Sequence, residues 1–371
     1  MTFLICPDSF KESMSALDAA THIQLGIKKI LPDANCLINP MSDGGDGALN
    51  LLEYYIKARK QFVTSRDPLN RKIKSAYLFF DDQAWISHAE SSGLHLLKKS
   101  EQNPLYTSTY GTGLLINDAI EKGVRKIHLF LGGSATNDGG LGILQVFGWK
   151  FLNKTGIELA VNGQSLYNVH SVIPGKKFDD LEFQIYTDVR NPLLGDQGAV
   201  HTYAKQKGAK NSDLTLLESG MKNSLHLLYP ENWESVNHIP GLGAAGGTAL
   251  GLMQLSEVKF CHGFIYFAEL SDLKGKIDQA DIVITGEGQF NKSSLDGKVC
   301  GEILRLCQAR NKIIIGLFGS IDKETEINYN RFIQMSIQRG VKSLDEALLD
   351  TGSDLQYIST QIAKLISYAN R

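Results

Sequence analysis

Phe3-Leu4-Ile5-Cys6-Pro7-Asp8-Ser9-Phe10-Lys11-Glu12-Ser13 sets the grammar of the chain. Phe3 to Cys6 is the short apolar run that a buried strand requires, and Pro7 to Ser13 reads as the loop beyond its carboxyl end. Ser15 with Asp18 resembles a capping box for a helix whose apolar face runs Leu17, Ala20, Ile23, Ile27 and Ile30. The pattern then repeats. Cys36 to Ile38 is a second strand, Met41-Ser42-Asp43-Gly44-Gly45-Asp46-Gly47 its loop, and Leu49, Leu52, Tyr55 and Ile56 the apolar face of another helix. Strand, polar loop and helix in succession predict a parallel sheet with right-handed crossovers. Ligands of such sheets lie beyond the carboxyl ends of the strands, where both acidic loops fall.

The same grammar returns only near the carboxyl terminus. Asp281 to Thr285 is a strand running into Gly286-Glu287-Gly288-Gln289, and Val299 to Cys307 reads as a helix. Lys312 to Phe318 and Phe332 to Ile337 are further strands, and Leu355 to Tyr368 a long terminal helix. The α/β pattern therefore predicts one discontinuous parallel-sheet domain, residues 1–66 with 282–371, interrupted by an inserted α/β domain, residues 67–281. The active site is expected in the cleft between them.

Within the insert, strands are expected at Ala76 to Phe80, Ala84 to His88 and Leu181 to Tyr186, with a helix at Leu114 to Glu121. The apolar run Ile127 to Leu131 feeds into Gly132-Gly133-Ser134-Ala135-Thr136-Asn137-Asp138-Gly139-Gly140, and a helical pattern through Leu141, Ile143, Leu144 and Val146 follows. A strand that ends in small residues and restarts as a helix offers unpaired backbone N–H groups to an anion. The bland alternative is a tight turn with a capped helix. The stretch Gly241 to Thr248 spells G-x-G-x-x-G and has P-loop glycine spacing. Val236 to Pro240 is a poor strand, and Gly247 stands where the P-loop lysine belongs, so neither nucleotide motif is met.

Composition narrows the function classes. A chain of 371 residues favours two domains, and 43% apolar with 21% charged residues suits a globular protein with a sizeable core. A net charge of −2 leaves no electrostatic footprint for nucleic acid or an anionic membrane, so any phosphate recognition must be local. No apolar run reaches the roughly 18 residues of a membrane span, and the protein is expected in the cytoplasm. The five cysteines are scattered without C-x-x-C spacing, which disfavours a disulfide framework or a zinc site.

The loops together carry the inventory of phosphoryl transfer. Lys11 suits the transferring phosphate oxygens, and Asp8, Asp43, Asp46, Asp138 and Asp188 are hard oxygen ligands of the kind Mg²⁺ prefers. Asp43, Asp46 and Asp138 are the metal candidates. Asp8 and Asp188 are both candidates for the group nearest the attacking hydroxyl. The loops at Gly132, Gly133, Ser134 and Asn137, and at Gly243, Gly246 and Gly247, are candidates for cradling phosphate or carboxylate.

These residues carry a resemblance. Pro7 to Ser13, Asp43-Gly44-Gly45-Asp46-Gly47, Gly111-Thr112-Gly113, Gly132 to Gly140, Asp188-Val189 with Asn191-Pro192-Leu193, Gln206-Lys207-Gly208-Ala209, Pro240 to Gly247, Thr285-Gly286-Glu287-Gly288 and Gly297-Lys298-Val299 occur in order along the whole chain. In this the chain resembles the type I glycerate kinases, bacterial enzymes that phosphorylate D-glycerate with ATP. The resemblance implies a flavodoxin-like domain carrying an inserted second α/β domain, and transfer to the 2-hydroxyl to give 2-phosphoglycerate. It adds Ser9, Lys207 and Glu287 to the phosphate and substrate candidates, with Lys11 and Lys207 available to neutralise the carboxylate of glycerate.

The chain departs from the family pattern at five charged positions. Ser87-His88 stands for the usual Glu-Met, Gln102 for an Arg, Leu114 for a Glu, and Gln289 and Asn291 for an Arg and an Asp. Loss of both signs together is what removal of a mutually compensating charge network looks like. It leaves two alternatives to glycerate phosphorylation: a kinase for a related, less acidic hydroxy compound, or a non-catalytic ligand-binding homologue.

Overall fold

The computed structural model describes residues 1–45, 47–295, 297–325 and 327–369. Its strands are β1 (Thr2–Ile5), β2 (Asn35–Ile38), β3 (Arg59–Arg66), β4 (Lys72–Phe80), β5 (Gln83–Ser87), β6 (Lys126–Phe130), β7 (Lys150–Leu152), β8 (Ser171–Ile173), β9 (Glu182–Tyr186), β10 (Glu257–Cys261), β11 (Ile282–Phe290), β12 (Ile313–Ile321) and β13 (Phe332–Ser336). The chain divides into two compact units, one formed by Met1–Asp43, Asn50–Tyr55 and Gly263–Arg371, the other by Gly44–Leu49 and Ile56–His262.

The first unit is built on a five-stranded sheet in the order β13-β12-β11-β1-β2. Every pairing in it is parallel. Phe3, Leu4 and Ile5 are fully buried, as are Val283 and Ile284 in the neighbouring strand, which is why these runs read as uninterrupted apolar sequence. The helix Ala16–Lys28 starts at Ser15, whose hydroxyl accepts from Asp18 N at 3.1 Å, and its face Ala19, Ala20, Ile23 and Ile27 joins the core with Leu355 and Ile362 of the terminal helix Leu344–Ala369. Strand order reverses at β1, which pairs with β2 on one side and β11 on the other, so the loops after β1 and β2 and the far end of β11 share one edge of the sheet.

The second unit carries a mixed sheet in the order β10-β9-β6-β5-β4-β3. Strands β5, β6, β9 and β10 run parallel, and β3 and β4 extend the sheet antiparallel. Its core gathers Ile86, Leu129, Ile143, Leu144, Phe183, Ile185 and Leu250. The unit boundaries differ from the sequence expectation at both ends. Residues 59–66 form the outer strand β3 of this second sheet, and the helices Gly263–Leu270 and Leu273–Gln279 fall in the first unit. Among the described residues, no helix is long and apolar enough to cross a membrane.

Candidate active site

In the first unit, backbone pairing continues past the strand ends and draws three acidic residues together. Cys6 N donates to Ile284 O at 2.8 Å and Asp8 N to Gly286 O at 2.9 Å, so the chain after β1 stays against β11. Asn39 N donates to Ile5 O and Met41 N to Pro7 O, at 2.8 and 2.9 Å, which keeps the loop leading to Asp43 against the same segment. Gly286 has no room for a side chain, since a Cβ there would lie 2.2 Å from Leu317 O. β11 itself runs on through Phe290, so Glu287 is a strand residue rather than part of a loop.

The outcome is an electrostatic cluster. Burial, the charge of Asp43 and the charge of Glu287 all raise the Asp8 carboxyl well above the usual range, while the Ser9 amide, which donates to Asp8 Oδ1 at 2.7 Å, and Lys11 oppose the rise. Glu287 is raised too, chiefly by burial, and its Oε1 is buried with no hydrogen-bond partner among the described residues. Lys11 is exposed and sits in the tight turn closed by paired hydrogen bonds between Phe10 and Met14. Carboxylates that raise one another in this way gain when a cation joins them.

No group of three or more His, Cys, Asp or Glu among the described residues is arranged as a complete metal cage. Mg²⁺ is commonly held by one or two carboxylates together with substrate phosphates, and the hard oxygens of Asp8 and Asp43 fit that mode. Asp46 lies outside the described residues.

The second unit encloses a cavity of about 190 Å³ lined by Gly132, Gly133, Ser134, Tyr186, Asp188 and Lys207 among others. β6 delivers the glycine turn to it and β9 delivers Asp188, because the two strands pair in register from Lys126 with Glu182 to Phe130 with Tyr186. Tyr186 is held in the wall by stacking on Phe130 at 4.7 Å and by its hydroxyl bond to Gln184 at 2.8 Å. Lys207 is 6% exposed, and its Nζ donates to Thr136 O at 2.7 Å. Burial lowers its pKa to about 7 despite the opposing charge of Asp138.

Several sequence candidates have other roles. Asp138 is fully buried and accepts from Thr109 N, Thr109 Oγ1, Ser108 Oγ, Gly140 N and Gly142 N. Protein donors occupy both of its oxygens, so it organises the turn instead of facing a cation. Asn137 is also fully buried, with neither amide atom partnered among the described residues, and it does not line the cavity.

Gly243, Gly246 and Gly247 serve close packing. A Cβ at Gly243 would lie 2.3 Å from Pro192 O, and one at Gly246 2.1 Å from Thr136 O. Gly139 N donates to Gly246 O at 3.1 Å, joining the two glycine loops, and Ala244 and Ala245 take the places on the cavity wall. A short helix, Trp233–Asn237, precedes this loop where a dinucleotide motif needs a strand. The helix after Gly140 has only six residues, Leu141–Val146, so its dipole adds little to the turn.

Sequence reasoning gave His88 no role. It is fully buried behind the glycine turn, with Nε2 3.2 Å from Thr136 Oγ1 and Nδ1 3.3 Å from Thr112 Oγ1. Its only signal was the histidine itself at a position where the family carries methionine.

Comparison with known proteins shows the family. The chain is 34% identical over 374 residues to the glycerate kinase of Halalkalibacterium halodurans, covering 99% of this chain and 98% of that one. It is 31% identical over 378 residues to the glycerate 2-kinase of Escherichia coli K12, covering 100% and 99%. The solved structure of a protein described as glycerate kinase 2 from Salmonella typhimurium LT2 matches with a TM-score of 0.81 at 30% identity, over 100% of this chain and 99% of that one. The glycerate kinase family matches residues 3–367. This chain belongs to the glycerate kinase family and is a kinase, a phosphotransferase acting on an alcohol group.

Proposed function

We propose that the protein uses ATP to phosphorylate D-glycerate at its 2-hydroxyl, giving 2-phosphoglycerate. The observation that carries this reading is the convergence of Asp8, Asp43 and Glu287 beside Lys11 at one edge of the first sheet. Phosphoryl transfer is mostly positioning and charge stabilisation, and this cluster has the groups for the phosphate side. Asp43 and Asp8 would hold Mg²⁺, which when bound neutralises charge on the phosphate oxygens. Lys11 places a further cation there, and Ser9 keeps Asp8 oriented through its amide.

The cavity of the second unit takes the acceptor. Its volume, about 190 Å³, is below the roughly 300–1,000 Å³ of pockets for drug-sized ligands, which suits a three-carbon acid better than a nucleoside triphosphate. Gly132, Gly133 and Ser134 present backbone and hydroxyl to it, Lys207 a cation, and Asp188 a carboxylate exposed at the wall. Asp188 is therefore the group assigned to the attacking hydroxyl, accepting its proton as the new P–O bond forms.

The test is ADP release by the purified protein with ATP, Mg²⁺ and D-glycerate, with Asp43→Asn as background and the product's phosphorylated position read by ³¹P NMR. Turnover that vanishes in Asp43→Asn, with 2-phosphoglycerate as product, supports the reading. A second reading, a kinase for a less acidic hydroxy compound, is favoured by Gln102 and by the exposed Gln289 on β11, where the family pattern has arginines. A panel of uncharged acceptors that outperform glycerate decides for it.

A further inference from the structure

We propose that Lys207 is the residue that reads the carboxylate of the acceptor, and that the lysine takes up a proton from solvent as the carboxylate binds. The proposal rests on the glycerate reading above and names the specificity determinant within it. Lys207 follows the short helix Ala199–Tyr203 and is fixed by its own amide, which donates to Ala204 O at 3.1 Å. That places a long cationic side chain at 6% exposure on the wall of the cavity.

An ammonium has three N–H donors. One is spent on Thr136 O at 2.7 Å, and no carboxylate among the described residues forms an ion pair with Lys207. A buried ammonium with a neutral carbonyl as its partner is poorly compensated.

Every titratable group around it leaves that deficit in place. His88, behind the turn, is kept neutral by burial and by Lys207 itself. Asp138 favours the charged lysine but faces its own hydrogen-bond donors. Asp188 also lines the cavity, and burial together with the charge of Asp188 pushes the Tyr203 hydroxyl up to about 12, so that group stays neutral. Burial brings Lys207 down to about 7, which divides it between charged and neutral forms near physiological pH. A carboxylate entering the cavity supplies the missing counter-charge and draws the proton onto the lysine.

Charge arithmetic selects the ligand class. Lys207 is the one cation among the described residues lining the cavity, enough to pair with a single carboxylate; a triphosphate calls for several cations. The backbone of Gly132 and Gly133 beside Ser134 gives neutral donors for the second carboxylate oxygen.

The test compares the parent protein with Lys207→Met. Calorimetric titration with D-glycerate at pH 8, in buffers of different ionisation enthalpy, should show uptake approaching about one proton in the parent. In Lys207→Met the uptake should vanish, and KM for D-glycerate should rise roughly 10- to 150-fold, the weight of one charge-assisted hydrogen bond. KM for ATP should stay where it was, and glyceramide, in which an amide replaces the carboxylate, should be used equally by both proteins.

Glycerate turnover without proton uptake, or a Lys207→Met protein whose KM shift falls on ATP, or an equal loss with glyceramide, overturns this role while leaving the kinase reading intact. A parent protein that neither binds nor phosphorylates D-glycerate overturns both. Should Lys207→Met fail to fold, as judged by circular dichroism, proton uptake by the parent decides alone.

Discussion

His88 Nε2 lies 3.2 Å from Thr136 Oγ1, on the same residue whose carbonyl holds Lys207. Burial and the charge of Lys207 push the imidazole down to about 3, so it stays neutral in the folded protein. The unfolded chain takes up a proton below its ordinary value near 6.5. Stability from this site is therefore complete above about pH 6.5 and falls as the pH drops toward 3. Asp8, Asp138 and Glu287 are raised instead and contribute in the opposite sense, so only a comparison of variants isolates the histidine. His88→Met should gain about 2 kcal/mol relative to the parent between pH 7 and pH 5 in urea unfolding. Parallel stability curves for the two proteins would mean the ring is not held neutral.

Asp138 accepts from Thr109 N at 2.7 Å and from Thr109 Oγ1 at 2.9 Å, and the turn depends on it remaining an acceptor on both oxygens. Asp138→Asn turns one oxygen into an NH₂ facing donors. The expected cost is about 2–4 kcal/mol of folding stability. The concentration of Mg²⁺ needed for half-maximal activity of the folded fraction should not change. A shift in that concentration at unchanged stability would restore Asp138 as a metal ligand.

Asp43 and Glu287 both raise Asp8, so the cluster stores repulsion that a cation relieves. Asp43→Asn should stabilise the cation-free protein by about 0.5–1 kcal/mol and lower kcat by roughly 100-fold or more. Lys11→Met acts with the opposite sign on Asp8, since Lys11 lowers that carboxyl, and should move the acid limb of the kcat/KM profile to higher pH. Thermal unfolding without Mg²⁺ and a pH–rate series check both. An Asp43→Asn protein that is less stable and still active would remove the cluster from the phosphate side.

The first sheet was legible because its central strands β1, β11 and β12 carry runs of buried residues on both faces. Phe3, Leu4 and Ile5, or Ile314, Ile315 and Leu317, leave no doubt of a strand between glycine-rich turns. β3, Arg59-Lys60-Gln61-Phe62-Val63-Thr64-Ser65-Arg66, escaped notice because an edge strand carries charge to discourage pairing with other chains, which erases the apolar signal. That concealment is why the boundary read from sequence fell after residue 66. The antiparallel pair β7–β8 was missed because its short strands hold a single buried residue, Phe151, and the helix Asn211–Leu228 because only one face of it is buried. At the site, Asp8 and Asp43 stood out in the sequence because each follows a short strand of the parallel sheet, whereas Glu287, read there as part of a loop, lies within β11. Asp138, Gly246 and Gly247 were not legible, because a glycine turn that packs against another loop has the same sequence as one that holds a ligand.

Gly140 and Gly123 separate those two meanings experimentally. Both have left-handed backbone, with φ of +73° and +89°. Around Gly123 nothing lies within 4 Å of where a Cβ would stand, whereas at Gly140 it would meet Thr248 O at 2.2 Å. Gly123→Ala should cost only the conformational penalty, about 1–2 kcal/mol. Gly140→Ala adds a clash with backbone that cannot rotate away, and should cost upward of about 3 kcal/mol. Because Gly139 is bonded to Gly246 and Thr136 holds Lys207, the displaced turn should also raise KM for the acceptor while KM for ATP stays constant. Urea unfolding and steady-state kinetics of the two variants read both effects. Equal costs at the two positions would mean that the glycine loops are not docked and that the cavity wall is not preformed.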